Sequence, residues 1–560
     1  MSNSKRNLSL LSAAFAVLSV FIASEKAVAQ NNLRVKATLN NLFRYGSGYE
    51  NLNGREGSKE YFENISDGRL QVNDIVFGAR YEKSAPIEYG VDFSGIRKRF
   101  VEYNGSDVFN LRAGDFWEVI GRGLSMNTFE QRQLFFDTGV DGIRVIFKKI
   151  FGETNPVKIK SEVFGGRIEY RDFLEPDRLE TYNVRDVNFE ISPVRNVNAG
   201  FNYVYSTGEI PSGNSVTRIK AYIPEFFASL NLSSVQIYSA YAHKHISAEA
   251  NTLYPYNLSS DGDAYYGSFS YTKPGFGVTL EYKNYRFDIT TPDNRSTERP
   301  TKMLPFQNPP TAIKEHTTTL TSRIPHVTDF NDEVGGQAEI MWAPAKNIFF
   351  VINGSIASGH YSFSDVDTSS RVVFEADDRK FDFLPSLKDE FSPYWELSAE
   401  AEYYLSDNIF LKTGLFHQYG VLFNNIYQNG SDKRRHTTIP LEIRYTIGKN
   451  GTIKFIFENQ WADYSLRQPD DRRFTNHYAS IGFSRSPSFS CALSSEFTSD
   501  NSEPGGKKFW LEGELSYNIN PSNVVIVSYG SERGGLKCTS GICRFVNPFN
   551  GFRLTVQSKL

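Results

Sequence analysis

Past its first thirty residues the chain has no run of roughly 20 apolar residues, so it lacks a helix able to cross a bilayer. Charge of one sign is lacking too: 61 Lys and Arg stand against 64 Asp and Glu, a net of −3. Such a balance argues against a nucleic-acid partner and against a basic face that docks on anionic lipid. Three cysteines among 560 residues allow one internal pair at most. Catalytic signatures are missing: no Gly-x-Ser-x-Gly elbow, no His-Glu-x-x-His and no phosphate loop occurs. We therefore expect no enzyme, no cofactor and no resident metal. No stretch shows a sustained 3.6-residue period with caps, and no repeat of about 40 to 50 residues marks a propeller.

What is present begins with a leader. Lys5 and Arg6 precede an apolar stretch from Leu8 to Ile22, and Ala27-Val28-Ala29 forms a small-x-small cleavage site. Residues 1–29 read as a secretory signal peptide, and residues 30–560 as the mature chain. Export makes the C-terminal Ser558-Lys559-Leu560 a poor peroxisomal address, although those three residues match one.

The mature chain alternates. Val197, Ala199, Phe201, Tyr203 and Tyr205 interleave with Asn198, Gly200 and Asn202; Leu397, Ala399, Ala401, Tyr403 and Leu405 interleave with Glu396, Ser398, Glu400 and Glu402. The same holds from Ile87 to Ser94, from Ile439 to Ile447 and from Phe509 to Tyr517. Period 2 places each set on its own sheet face, and a composition that is 14% aromatic suits strands. Mean hydropathy is negative, which a spanning barrel tolerates because only alternate residues meet lipid.

Connections alternate as well. Short ones fall at 83–86, 192–195, 406–407, 448–451, 486–487 and 520–522; long polar ones fall near 46–68, 171–179, 246–262, 289–315, 360–391, 465–472 and 531–550. The pattern predicts an all-β, transmembrane, antiparallel up-and-down β-barrel of about 24 strands (roughly 22 to 26), with short periplasmic turns and long extracellular loops. Leu33 to Leu39 already reads as a strand, so residues 30–560 form one barrel with no separate plug domain ahead of it. In the closing GFRLTVQSKL, Phe552, Leu554, Val556 and Leu560 would face lipid, and Arg553, Thr555, Gln557 and Lys559 the lumen. That strand would pair with the first one and close the sheet.

One region is dense in charge. Asp115, Glu118, Arg122, Arg132, Asp137, Asp141 and Arg144, with Glu130 among them, cannot face hydrocarbon cheaply and belong in the lumen or a loop. They read either as a salt-bridged network propping the wall or as a mixed-charge constriction that selects solutes. Elsewhere the lumen face would carry Glu400, Glu402, Glu442, Arg444, Lys454, Glu458, Glu512, Glu514 and Arg553. The stretch GDFWEVIGRGLSMNTFEQRQLFFDTGVDGIRV, with NPPTAIKEHTTTLTSRIPHVTDFNDEVG and GICRFVNPFNGFRLTVQSKL, resembles a family of unknown function from the Bacteroidota and Chlorobi lineages, regarded as outer-membrane barrels. The Gly-Asp strand, loop and Asp-Gly-Ile-Arg-Val strand also resemble parts of alginate exporters and anion porins. The first resemblance implies fold and compartment, the bacterial outer membrane, and no functional residue.

Other chemistry-bearing residues read more plainly. His243 and His245 project from one strand face but lack a third ligand at metal spacing, so they read as wetted strand-end histidines. Asp365, Asp367, Glu375, Asp377 and Asp378 read as solvated acids rather than calcium ligands. Cys538 and Cys543 read as a disulfide before the last strand, with free thiols or a metal pair as alternatives. The expected function is a porin-like channel for passive diffusion of small solutes. The alternative is a non-conducting barrel, plugged by its own loops, that serves structure, assembly or surface anchoring. The expected partners are outer-membrane lipid and the barrel assembly machinery.

Overall fold

Alternation becomes geometry once strands pair, because a pleated strand points successive side chains to opposite faces. The computed structural model describes residues 33–560 other than 53–54, 86–90, 154–155, 172–177, 213–214, 253–255, 288–302, 369–370, 379–381, 424–430 and 540–541, so the signal segment lies outside the described residues. Among the described residues, 24 strands form a single antiparallel sheet in which wall strands pair with their neighbours in the chain. The last strand, Phe549–Lys559, pairs with the first, Val35–Leu52, from Asn40 opposite Lys559 to Glu50 opposite Phe549. Leu39 and Leu560 exchange backbone hydrogen bonds of 3.0 and 2.8 Å just beyond this ladder. The fold is an all-β up-and-down barrel with the expected strand number, and GFRLTVQSKL is its seam. No helix among the described residues is long and apolar enough to cross a membrane.

Burial is inverted relative to a soluble sheet. Leu397, Leu415, Ile439, Phe457, Leu493 and Leu511 lie exposed on the outer face, while Glu396, Thr438, Glu458 and Glu496 are buried inside. Strands spaced about 4.8 Å and tilted about 40° make a 24-strand wall roughly 45 Å across between backbones. Wall side chains cannot meet across such a lumen.

One rim carries tight turns. Asn73-Asp74, Arg195-Asn196, Asp407-Asn408 and Pro521-Ser522 each separate paired strands by two residues. Asn73 takes φ +52°, a left-handed position that Asn tolerates better than most residues. The opposite rim carries the long connections, among them 249–257, 359–393, 499–508 and 533–548.

Three expectations about connections are corrected. Residues 46–68 are a hairpin and not a loop: Val35–Leu52 pairs with Arg55–Val72 over 18 residues each. Strands of that length run about 60 Å past an apolar band about 25 Å tall, so pairing continues where both faces are wet and alternation has stopped. Lys83-Ser84-Ala85-Pro86 is not a tight turn either. The strand Ile75–Ser84 enters through Asn73-Asp74 and leaves through 85–92 at the other rim, where Phe93–Tyr103 begins. Ile87 and Tyr89 of the strand expected there lie outside the described residues. The stretches 360–391 and 531–550 hold hairpins of their own: Tyr361–Thr368 with Arg371–Asp378, and Gly535–Thr539 with Ile542–Val546.

Leu493→Arg, on the outer face, is expected to destabilise the barrel by about 2 to 4 kcal/mol, and Lys454→Ala on the inner face by less than about 0.5. Guanidinium unfolding in phospholipid vesicles, followed by heat-modifiable gel migration, measures both; equal midpoints would contradict a lipid-facing Leu493.

Candidate functional site

Among the described residues, two connections run through the lumen, and a third, 533–548, folds in over them with Ile542 buried against Leu134 and Phe136. The strand Phe109–Phe116 stops, the chain crosses the lumen as residues 117–139, and the wall resumes at Val140–Phe151. Later, Phe276–Arg286 is followed by a connection whose described part, residues 303–332, also lies inside before the wall resumes at Glu333–Ala345.

The first segment is an irregular hairpin. Ile120 donates its N–H to Met126 at 3.0 Å, and Thr128 to Glu118 at 2.9 Å. Its tip is Gly121-Arg122-Gly123, with φ +56° and +86° at the two glycines. A Cβ at Gly121 would lie 2.7 Å from Glu225 Oε1 and 2.8 Å from the Tyr238 hydroxyl, so a side chain at this left-handed tip would have to displace both groups. Next to the tip, Ser125 donates its N–H to Glu225 at 3.0 Å and also its hydroxyl. Asn202 donates to Ser125 Oγ at 3.0 Å and to Asp186 at 2.8 Å. Leu124 and Met126 are fully buried in one apolar cluster with Tyr182, Val204, Ile223, Ala242 and Tyr266 of the inner wall.

The second segment locks onto the first. Asn308 donates its side-chain amide to Asn127 O at 2.8 Å, and Asn127 donates its own to Asn308 O at 2.7 Å. From there residues 303–332 run across to the far wall on a series of carboxylates. His316 Nε2 is 3.0 Å from Glu396. Thr319 and Leu320, at the start of a single helical turn, donate N–H groups to Glu458 at 2.9 and 2.7 Å. Arg323 donates to Glu496 at 2.5 Å and to the carbonyls of Arg533 and Gly534 at 2.9 and 2.8 Å. Each of these buried carboxylates accepts donors from the inserted chain, Glu396 also from Ser355 and Tyr394 of the wall and Glu496 also from Arg533.

The predicted charge cluster is spread along this arrangement rather than gathered in one ring. Arg132 pairs with Glu63 at 3.0 Å and Glu82 at 2.8 Å on the wall. Asp137 meets Lys98 at 2.8 Å and the Trp117 indole N–H at 3.1 Å; Asp115 lies 3.6 Å from the same Lys98. Glu118 and Arg144 pair at 2.6 Å, and Arg122 sits 5.2 Å over the Tyr238 ring. Asp141 pairs with Arg99 at 3.2 Å on the outer face. Asp115, Arg132, Asp137 and Asp141 line one cavity; Glu118, Arg122 and Arg144 do not. Burial by itself pushes the Asp137 carboxyl up, but the Lys98 ammonium holds it below the ordinary aspartate range. Its folded pKa is thus depressed, so the pair contributes stability above the unfolded aspartate value and loses it as pH falls through the folded one.

Of the expected lumen face, Glu400 and Glu402 share Lys412 at 2.7 and 3.4 Å, and Arg553 reaches Glu512 at 3.8 Å. His243 and His245 stand half-exposed outside, 2.9 Å from Asp263 and 2.6 Å from Asp261. Cys538 and Cys543 lie opposite each other in the last hairpin and are joined as a disulfide. Side chains of Asp365, Asp367, Glu375, Asp377 and Asp378 lie outside the described residues. Sequence reasoning missed Glu63, Glu82, Glu225 and Glu496 as anchors. Each sits on the polar phase of an alternating strand, and nothing in that phase separates an anchor from a solvated acid.

Asn127→Ala and Asn308→Ala are expected to be non-additive, with a coupling of roughly 1 kcal/mol read by hydrogen exchange of residues 118–128. Additive effects would mean that the two segments dock independently.

The comparisons with known proteins bear on fold and family. No curated protein matches the chain in sequence. The siderophore receptor PirA from Pseudomonas aeruginosa is similar over 93% of this chain and 80% of its own, at 8% identity and a TM-score of 0.43. The FrpB iron transporter from Neisseria meningitidis is similar over 96% and 82%, at 10% identity and 0.43. The translocation pore of the P pilus usher PapC is similar over 93% and 99%, at 10% identity and 0.38. A family model matches residues 6–560, and the chain belongs to that family, the Family of unknown function (DUF6029).

Proposed function

We propose that this protein is an outer-membrane barrel that passes small solutes by diffusion and is held shut at rest by its own two lumen segments. The carrying observation is the anchoring of residues 117–139 and 303–332 to carboxylates on opposite sides of the wall, Glu63, Glu82 and Glu225 on one and Glu396, Glu458 and Glu496 on the other. The apolar outer face and the leader support placement in the outer membrane of an exporting bacterium such as those of the Bacteroidota and Chlorobi lineages. Insertion would use the host's barrel assembly machinery. The likeness to alginate exporters and anion porins is in keeping with solute passage. Lining of mixed sign, with Glu400 and Glu402 beside Lys412, supports weak ion selectivity once the path is open. The far-wall anchors of the second segment are Glu396, Glu458 and Glu496, so removing two of them would loosen that segment without opening the wall.

A second reading, a permanently filled barrel that anchors or assembles surface structures, is favoured by one observation. Leu124, Met126, Leu304, Phe306 and Leu320 are fully buried, which makes the segments core as well as cover.

In planar bilayers the wild type is expected to be nearly silent, and Glu458→Gln with Glu496→Gln to open at least several-fold more often. A steadily open wild type would sink the shut-at-rest proposal. A folded double variant that never conducts would favour the filled barrel.

A further inference from the structure

Among the described residues, the wall is parted where the first lumen segment leaves it. Phe93–Tyr103 is paired along its whole length to Ile75–Ser84, but on its other edge it meets Phe109–Phe116 only at Phe100 to Tyr103. The cause is the departure of the chain into the lumen after Phe116. The strand that would flank 93–99 ends, and Arg99 donates its N–H to the Asp115 carboxylate at 2.6 Å instead of to a strand carbonyl. Gly114, at φ +105°, marks the last close approach, where a Cβ would overlap the Arg99 carbonyl. Across the split, Val140 starts opposite Ile168, and among the described residues the wall above that level is 169–171.

A cavity of about 310 Å³ sits in this split and is lined from both faces of the wall. Glu63, Glu82 and Arg132 reach it from the lumen; Ile96, Asp141 and Arg167 reach it from outside. One cavity touches both faces only where the sheet is open between them. The height of the opening is marked on the outer surface. Exposed Ile143, Val163 and Val187 give way along their strands to exposed Asp141, Arg167 and Arg185, the level at which an apolar band meets head groups.

The lining is balanced, with seven basic and seven acidic residues, so it draws in no ion of a single sign. A group that carries both signs can exchange with ion pairs already formed there, such as Arg99 with Asp141 and Arg167 with Glu169, because guanidiniums suit a phosphate and carboxylates an ammonium. We propose that the split is a lateral inlet for the zwitterionic head group of a phosphate-bearing amphiphile, whose acyl chains stay on the outer apolar face beside Val101 and Ile143. The inference rests on the membrane placement proposed above.

Photo-crosslinking tests it on the full chain in vesicles of phosphatidylethanolamine and phosphatidylglycerol. The probe p-benzoylphenylalanine is placed in turn at Phe135, which lines the cavity from the lumen segment, at Leu515 on the outer face, and at Lys454 on the inner face near the turns. Heat-modifiable migration confirms that each probe-bearing chain is folded. We expect lipid adducts at Leu515 and Phe135 and none at Lys454, with phosphatidylethanolamine dominant at Phe135 and several-fold less of it after Arg167→Gln, which leaves the anchors of the lumen segment in place. Lipid at Leu515 without lipid at Phe135 would overturn the inlet. Equal capture at Lys454 would also overturn it, because lipid would then be filling the lumen generally. Phosphatidylglycerol alone at Phe135 would overturn the head-group class. Absence of lipid at Leu515 would instead remove the membrane reading on which the inlet depends.

Discussion

Closure of the sheet between Val35–Leu52 and Phe549–Lys559 is the constraint on which the rest depends. A strand edge left open in hydrocarbon exposes backbone groups at several kcal/mol each, so a spanning sheet has to return to its start. With 24 strands that return encloses a lumen roughly 45 Å wide, which wall side chains cannot fill. The filling comes from chain that leaves the wall and comes back.

That choice explains where buried charge lies. Inner-face carboxylates such as Glu225, Glu458 and Glu496 would be costly if enclosed alone. Each accepts donors from an inserted segment: Glu225 from Ser125, Glu458 from Thr319 and Leu320, and Glu496 from Arg323. The apolar stretch of inner wall around Tyr182, Val204 and Tyr266 would be equally unfavourable against water, and Leu124, Met126 and Phe306 cover it. Insertion has a geometric consequence too. A strand that ends at Phe116 so that its chain can cross the lumen leaves 93–99 without a paired strand on that edge among the described residues, and the plug and the split are two results of one departure.

Much of the fold was legible because a membrane barrel writes its two environments at period 2. Leu397 to Leu405 shows one phase, Glu396 to Glu402 the other, and the structure keeps both. Legibility failed where both faces are wet, as from Gly46 to Gly68, since pairing there leaves no alternating record. It failed again at Pro86, where a proline-containing string resembled a turn and the true turn was the Asn73-Asp74 pair. The charged GDFWEVIGRGL stretch was conspicuous, but its glycines could not be read as a hairpin tip without the wall residue Glu225 beside them. The stretch 289–315 read as a polar connection, and the inward course of residues 316–323 beyond it left no local mark because their carboxylate partners lie 80 to 173 residues away in the chain.

The sequence by itself determined the class of architecture, a strand number near 24 and the seam at GFRLTVQSKL, because these follow from local periodicity and from the need to close an edge. Only the tertiary structure decided which connections turn inward, which inner carboxylates become anchors and where the wall parts. Those depend on distant donors meeting particular acids across the lumen, and no local pattern encodes such a meeting.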